Sequence, residues 1–262
     1  MSADKNGKAL TFGFRFETIP IDFLILSFSS IPMATWTKRQ IAETIDHAAL
    51  KPNMTDEDIR EQCELGRRFN VKSVCVRPSD VPLAAKILEG SETVVSAVVG
   101  FPHGAHRPET KALEAKLAIR DGARELDMVM NVGKFLSGDD DWVKRDIEAV
   151  VAEAKPKGVL VKVIFETCFL DPQEIKRACE IARDAGADFV KTSTGFADGS
   201  ATPEAIDIMI KAVGNCMGVK ASGGVRSFAV ACGFLDQGCK RLGSAGGTAT
   251  ILGDAPEGHD GY

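Results

Sequence analysis

The chain has 262 residues, 44% of them hydrophobic and 26% charged, with a formal net charge of -5 at pH 7. That composition suits one globular domain with a substantial core and excludes disordered and fibrous classes. The acidic balance and the lack of any Lys/Arg run exclude nucleic acid as the main partner, but a small anionic ligand still fits a locally basic site.

In chain order, the first notable stretch is IPIDFLILSFSSIPM at 19–33, which Asp22 interrupts and which is too short to span a bilayer. Neither a membrane anchor nor a signal peptide is expected. Residues 1–34 read as an N-terminal extension, either disordered or an upstream misreading of a start at Met33. From residue 35 onward, short β-branched runs alternate with amphipathic stretches. The candidate strands are TID (44–46), VKSVCV (71–76), TVVSAVVG (93–100), ELDMVMN (125–131), VLVKVIFE (159–166), FVKTS (189–193), GVKAS (218–222) and RLGS (241–244). Between them lie the helical patterns TDEDIREQCELGRRF, with Thr55 as cap, PETKALEAKLAIRDG, DWVKRDIEAVVAEA, DPQEIKRACEIARDAG and TPEAIDIMIKAVG.

Near-continuous apolar strands separated by helices indicate a parallel sheet covered on its faces. Eight such units in about 215 residues predict an α/β protein, a single-domain (β/α)8 TIM barrel over 35–253, since such barrels begin near about 200 residues. A doubly wound sheet would show a Gly-rich turn after the first strand, and none follows TID. Residues 254–262 read as a flexible tail ending in the single tyrosine, Tyr262. The cysteines at 63, 75, 168, 179, 216, 232 and 239 form an odd set without a C-x-x-C pair, which predicts reduced thiols in a cytoplasmic protein.

Three lysines interrupt apolar runs: Lys162, Lys191 and Lys220, spaced 29 residues apart and then 29 again. A single such lysine is explained by snorkelling from a strand end. Three in successive units point to ammonium groups converging on one barrel mouth, where burial and like charge lower a lysine pKa. A neutral lysine attacks carbonyl carbon and forms a Schiff base. Asp127, in the run ELDMVM, is placed to shuttle protons or to form a structural ion pair with Lys162, and the two roles are compatible. RDGARELD, DAGADFVK and DQGCKRLG share a second register. The fifth residue after each glycine is Asp127, Lys191 and Gly243, which predicts comparable heights on their strands.

Two glycine-rich turns, ASGGVR at 221–226 and RLGSAGGT at 241–248, follow the last two strands, where barrels bind phosphate. His103 and His106 fall short of the three or four ligands that zinc requires, so no metal is expected. Cys75 lacks an evident general base and reads as a packed thiol near the mouth. A catalytically silent phosphosugar-binding barrel remains an alternative, as does a different Schiff-base barrel such as a transaldolase or a ketose-bisphosphate aldolase.

The motifs FVKTSTGF, VKASGGVR, ELDMVMNVG, CVRPSDV, VVGFPHGA and IDHAALKP together resemble the deoxyribose-phosphate aldolase family from about Glu43 to Gly253. The resemblance implies a class I lyase. It would reversibly cleave 2-deoxy-D-ribose 5-phosphate to D-glyceraldehyde 3-phosphate and acetaldehyde, without a cofactor or metal, in deoxyribonucleotide catabolism. It implies Lys191 as the Schiff-base lysine, Lys220 as the cation that lowers its pKa, and Asp127 as the acid/base. Lys162 would pair with Asp127, Asp46 and Thr194 would face substrate hydroxyls, and Gly195, Gly223, Gly224, Gly243 and Ser244 would surround the phosphate. Tyr262 would reach into the site as a proton relay. Some members carry a lysine where Phe196 stands, and commonly two consecutive hydroxyl residues where this chain has Ser244-Ala245-Gly246, which implies weaker phosphate binding. The expected partners are a small phosphorylated sugar and acetaldehyde, and a second copy of the chain in a dimer or tetramer, with no membrane.

Overall fold

A computed structural model describes residues 36–253. The expected extension at 1–34, the tail at 254–262 and Tyr262 lie outside the described residues. The strands are β1 (Ile45–Ala49), β2 (Ser73–Val76), β3 (Val94–Val99), β4 (Glu125–Val129), β5 (Leu160–Ile164), β6 (Phe189–Lys191), β7 (Gly218–Ser222) and β8 (Arg241–Ser244). Each pairs in parallel with the next, and β8 returns to β1, so the sheet closes into an eight-stranded barrel. The helices are α1 (Lys38–Ala42), α2 (Asp56–Phe69), α3 (Val81–Ile87), α4 (Pro108–Arg120), α5 (Val132–Leu136), α6 (Asp140–Ala154), α7 (Pro172–Asp184), α8 (Pro203–Val213), α9 (Phe228–Asp236) and α10 (Thr248–Leu252). This is the (β/α)8 barrel that the alternation predicts. No described helix is long and apolar enough to cross a membrane.

The helix ends follow local chemistry. In α2 the Thr55 hydroxyl accepts from Asp58 N while the Asp58 carboxylate accepts from Thr55 N, a reciprocal cap that satisfies two otherwise orphan donors. Asp171 and Glu174 do the same for α7, with Pro172 in its first turn. α3 escaped the sequence pattern because VPLAAKI is short and opens on a 3-10 turn, and β1 runs to Ala49 where only 44–46 were expected. His47 broke that apolar run. It points outward, where Thr248 and Gln62 each hold one ring nitrogen at 2.8 Å.

Side chains alternate across each strand between the barrel interior and the layer beneath the helices. Val74, Val76, Leu126, Met128, Val161, Val163, Val190, Val219 and Leu242 face outward and form, with the helices, the main apolar core. The barrel interior is instead mostly polar. Strand tilt advances each layer by one residue per strand, so the pairing register defines rings of four from alternate strands. Ser73, Glu125, Phe189 and Arg241 form the lowest ring, Asp46, Ser96, Lys162 and Lys220 the next, and Cys75, Asp127, Lys191 and Gly243 the one above. Asp127, Lys191 and Gly243 thus share a height, as the glycine-plus-five spacing predicts. Phe189 fits because Gly218 has no side chain: a Cβ there would sit 2.1 Å from the ring.

Candidate active site

The interior rings bring together three carboxylates, Asp46, Glu125 and Asp127, and four cationic groups, Lys162, Lys191, Lys220 and Arg241, all buried. Buried charge is tolerated only when paired, and the pairing is uneven. Lys162 Nζ lies 2.7 Å from Asp127 Oδ1, 2.6 Å from Glu125 Oε2 and 3.4 Å from Asp46 Oδ2. Lys220 Nζ donates to Asp127 Oδ2 at 2.7 Å and makes ion contact with Asp46 Oδ2 at 2.5 Å. Arg241 grips Asp46 from one side and Glu125 Oε1 at 3.0 Å from the other. Among the described residues, Lys191 Nζ has one carboxylate contact, Asp127 Oδ2 at 2.8 Å.

The electrostatics follow from those contacts. Burial, and after it the Lys220 charge, lowers the Lys191 pKa against the opposing pull of Asp127. For Lys220 and Lys162 burial is outweighed by two and three carboxylates respectively, and their pKa values rise. The lowering expected where ammonium groups converge is therefore found at Lys191, with Lys220 as the neighbouring cation and Lys162 paired with Asp127. Lys162 sits in the ring below Lys191 and does not line the cavity. Burial opposes ionisation of Asp127, yet Lys162, Lys191 and Lys220 overcome it and hold its carboxyl well below the usual range. With all seven groups ionised the set carries one positive charge in excess. A neutral Lys191 balances it.

Above these rings a cavity of about 240 Å³ opens at the C-terminal ends of the strands. Its floor holds Asp46, Lys191, Lys220, Cys75 and Gly243. Gly243 is required by close approach, because a Cβ would meet Ser222 Oγ at 2.4 Å and Lys220 Cε at 3.3 Å. One wall is apolar, from Ala48, Leu50 and Cys75 on the β1–β2 side, backed by Val98 and Phe101. Burial pushes the Cys75 thiol up to about 11, as suits a packed thiol. The opposite wall comes from the loops after β6, β7 and β8: Thr194 and Gly195, then Gly223, Gly224, Val225 and Arg226, then Ala245. Gly223 and Gly224 both adopt positive φ, +83° and +76°, which turns the chain sharply at this wall. Among the described residues no acceptor is found for the N–H groups of Gly195, Gly223, Gly224 or Val225. Such a concavity of amides beside a guanidinium suits an anion.

Of the residues expected from sequence, Asp46, Lys191, Lys220, Thr194, Gly195, Gly223, Gly224 and Gly243 line the cavity, and Asp127 and Lys162 lie against its floor. Ser244 does not line it. The residue after an inward Gly243 faces outward, and the Ser244 hydroxyl donates to Val225 O at 3.2 Å. The Thr194 hydroxyl donates to Glu166 and accepts from Phe196 N at 3.0 Å, so it has no proton left for a substrate hydroxyl. Phe196 packs edge-on to Phe101 with centroids 5.1 Å apart and does not line the cavity. Sequence reasoning missed Glu125, Arg241, Ser96, Arg226 and Glu166. The first two stand two residues before Asp127 and Gly243, so period two would have put them on the same face. Glu166 had no such signal, because its role depends on a left-handed backbone.

A parallel barrel with a depressed-pKa lysine on its floor, flanked by a carboxylate and a second lysine, defines a lyase of the Schiff-base aldolase class. The chain belongs to the DeoC/LacD aldolase family, whose model matches residues 41–246. It is 51% identical over 222 residues to a deoxyribose-phosphate aldolase of Listeria innocua serovar 6a, covering 85% of this chain and 99% of that one. It is 50% identical over 216 residues to a deoxyribose-phosphate aldolase of Clostridium perfringens, covering 82% and 96%. Among solved structures it resembles a tetrameric deoxyribose phosphate aldolase from Aeropyrum pernix, with TM-score 0.77, 31% identity and coverage of 82% and 91%.

Proposed function

We propose that this chain is a deoxyribose-phosphate aldolase, cleaving 2-deoxy-D-ribose 5-phosphate reversibly to D-glyceraldehyde 3-phosphate and acetaldehyde. The observation that carries the reading is the uneven pairing: of the three lysines inside the barrel, only Lys191, with a single carboxylate contact among the described residues, has a depressed pKa, and it lines the cavity. In the cleavage direction the Lys191 amine adds to C1 of the open-chain sugar. Asp127, 2.8 Å from Lys191 Nζ, moves protons so that the carbinolamine loses water and leaves an iminium. The two-carbon product contains C1 and C2, so the bond that breaks is C2–C3. Its electrons flow into the iminium as the C3 hydroxyl proton leaves. The resulting enamine is protonated at C2, and water releases acetaldehyde and the amine.

Burial, and after it the Lys220 charge, lowers the Lys191 pKa towards the neutral amine the reaction needs, while Lys220 also anchors Asp127 and Lys162 fixes the other Asp127 oxygen. The amides of Gly195, Gly223 and Gly224 with Arg226 take the phosphate, and the apolar wall takes the acetaldehyde-derived end. Asp46, tied down by Arg241 and Lys220, acts from the floor more as an anchor than as a mobile ligand. Such an enzyme would work in the cytoplasm as a dimer or tetramer. Borohydride reduction with acetaldehyde, followed by peptide mass mapping, should place an ethyl group on Lys191. An adduct on another lysine, or none with an active enzyme, would sink the assignment.

A further inference from the structure

Glu166, directly beyond β5, is 4% exposed, carries no ion pair among the described residues, and sits in the left-handed region at φ 55° and ψ 64°. A residue with a side chain holds that conformation only where its surroundings require it. Its neighbours are fixed to the strand alongside: Phe165 N donates to Lys191 O at 3.0 Å, and Thr167 N to Thr192 O at 2.9 Å. Between those two ties the backbone turns, and the carboxylate meets the loop after β6. Thr194 N donates to its two oxygens at 3.1 and 3.3 Å, and the Thr194 hydroxyl donates to Oε2. The same hydroxyl accepts from Phe196 N at 3.0 Å. Glu166 does not line the cavity, whereas Thr194 and Gly195 do.

We propose that Glu166 is a positioning residue for the phosphate end of the substrate. Its carboxylate, through Thr194, holds the Thr194–Phe196 turn in the conformation that leaves the Gly195 amide at the cavity wall without a protein acceptor. Thr194 is then a splint and not a hydrogen-bond donor to the sugar. This inference rests on the aldolase reading and extends it: phosphate recognition at this wall is set by a buried acid outside the cavity. The geometry separates the two ends of the site, because the contacts of Glu166 lie downstream of Lys191 and touch none of the groups that move protons.

The test compares 2-deoxyribose 5-phosphate with unphosphorylated 2-deoxyribose. Glu166→Ala should raise KM for the phosphorylated sugar about tenfold or more, as the loss of two or three charge-assisted hydrogen bonds to the turn implies. It should leave kcat/KM for the unphosphorylated sugar and borohydride trapping of acetaldehyde on Lys191 close to the parent. Glu166→Gln keeps an acceptor oxygen for Thr194 and should restore most of the affinity. Equal losses with both sugars, or a fall in trapping, would overturn the proposal, because a merely structural role predicts both. If Glu166→Ala fails to fold, Thr194→Val removes the hydroxyl's bonds to Glu166 and Phe196 N while keeping the backbone N–H bonds to the carboxylate, and must still show a phosphate-selective, if smaller, rise in KM. Its absence would equally overturn the idea. A failure of the aldolase reading is distinct: the parent itself would cleave neither sugar and trap no acetaldehyde.

Discussion

Among the lysines, identity of residue type conceals three different jobs, decided by the number of carboxylates within reach. Lys162 has three partners, Lys220 two and Lys191 one. Removing Lys220 changes two of the influences on Lys191 in the same direction. Its positive charge, which lowers the Lys191 pKa, disappears, and Asp127 Oδ2 is left to Lys191 alone. In Lys220→Leu the acid limb of the pH profile of kcat/KM should therefore move to higher pH, with turnover at neutral pH reduced by about 100-fold or more. A pH–rate profile coincident with the parent would show that Lys220 does not control the nucleophile.

Between elements, a buried ion pair outside the barrel joins α4 to α6 and to the end of β4. Lys111 Nζ donates to Val129 O at 2.8 Å and to Asp146 Oδ2 at 2.5 Å, with both side chains fully buried. Burial raises the Asp146 pKa to about 6 even beside Lys111. Lys111→Met would leave that carboxyl unpaired and should cost about 3 to 5 kcal/mol at neutral pH. The sign with pH is fixed by the raised value: below it the carboxyl is protonated and cheap to bury, above it charged. Denaturant midpoints should show a smaller loss at pH 5 than at pH 8, and a loss independent of pH would refute the account. Lys111 lies within a helical pattern that was legible in the sequence, but its partner across 35 residues was not. The same holds inside the barrel. Strand number, closure and the three interior lysines could be read from repeated units and local pattern. The pairing that makes them differ depends on register between strands, and the left-handed turn at Glu166 has no compositional mark. Ser244 shows the converse: motif likeness placed it at the phosphate, and simple alternation after Gly243 turned its side chain away.

For the whole molecule, the interior charges set the pH range of stability. Asp46 and Asp127 have pKa values well below the unfolded 3.8, so their stabilising contribution is complete above about pH 5 and is lost as pH falls below 4. Asp146, raised to about 6, gains stability as pH falls from 6 towards 3.8, while buried His47, lowered from 6.5 by burial, loses it as pH falls below 6.5, so the two offset each other above the range where Asp46 and Asp127 titrate. The Tm should stay nearly level from pH 7 to about pH 5 and drop steeply below pH 4. A Tm unchanged down to about pH 3 would mean that the floor carboxylates are not ionised in the folded protein.

Phe189, fitted into the space left by Gly218, adds a consequence of another kind. An aromatic ring at the lower end of a barrel is a stopper, and it leaves the charged rings open to water chiefly through the mouth. Substrate and bulk water then share that one entrance, so whatever occupies the mouth governs how readily Lys191, Asp127 and Lys220 exchange protons with solvent.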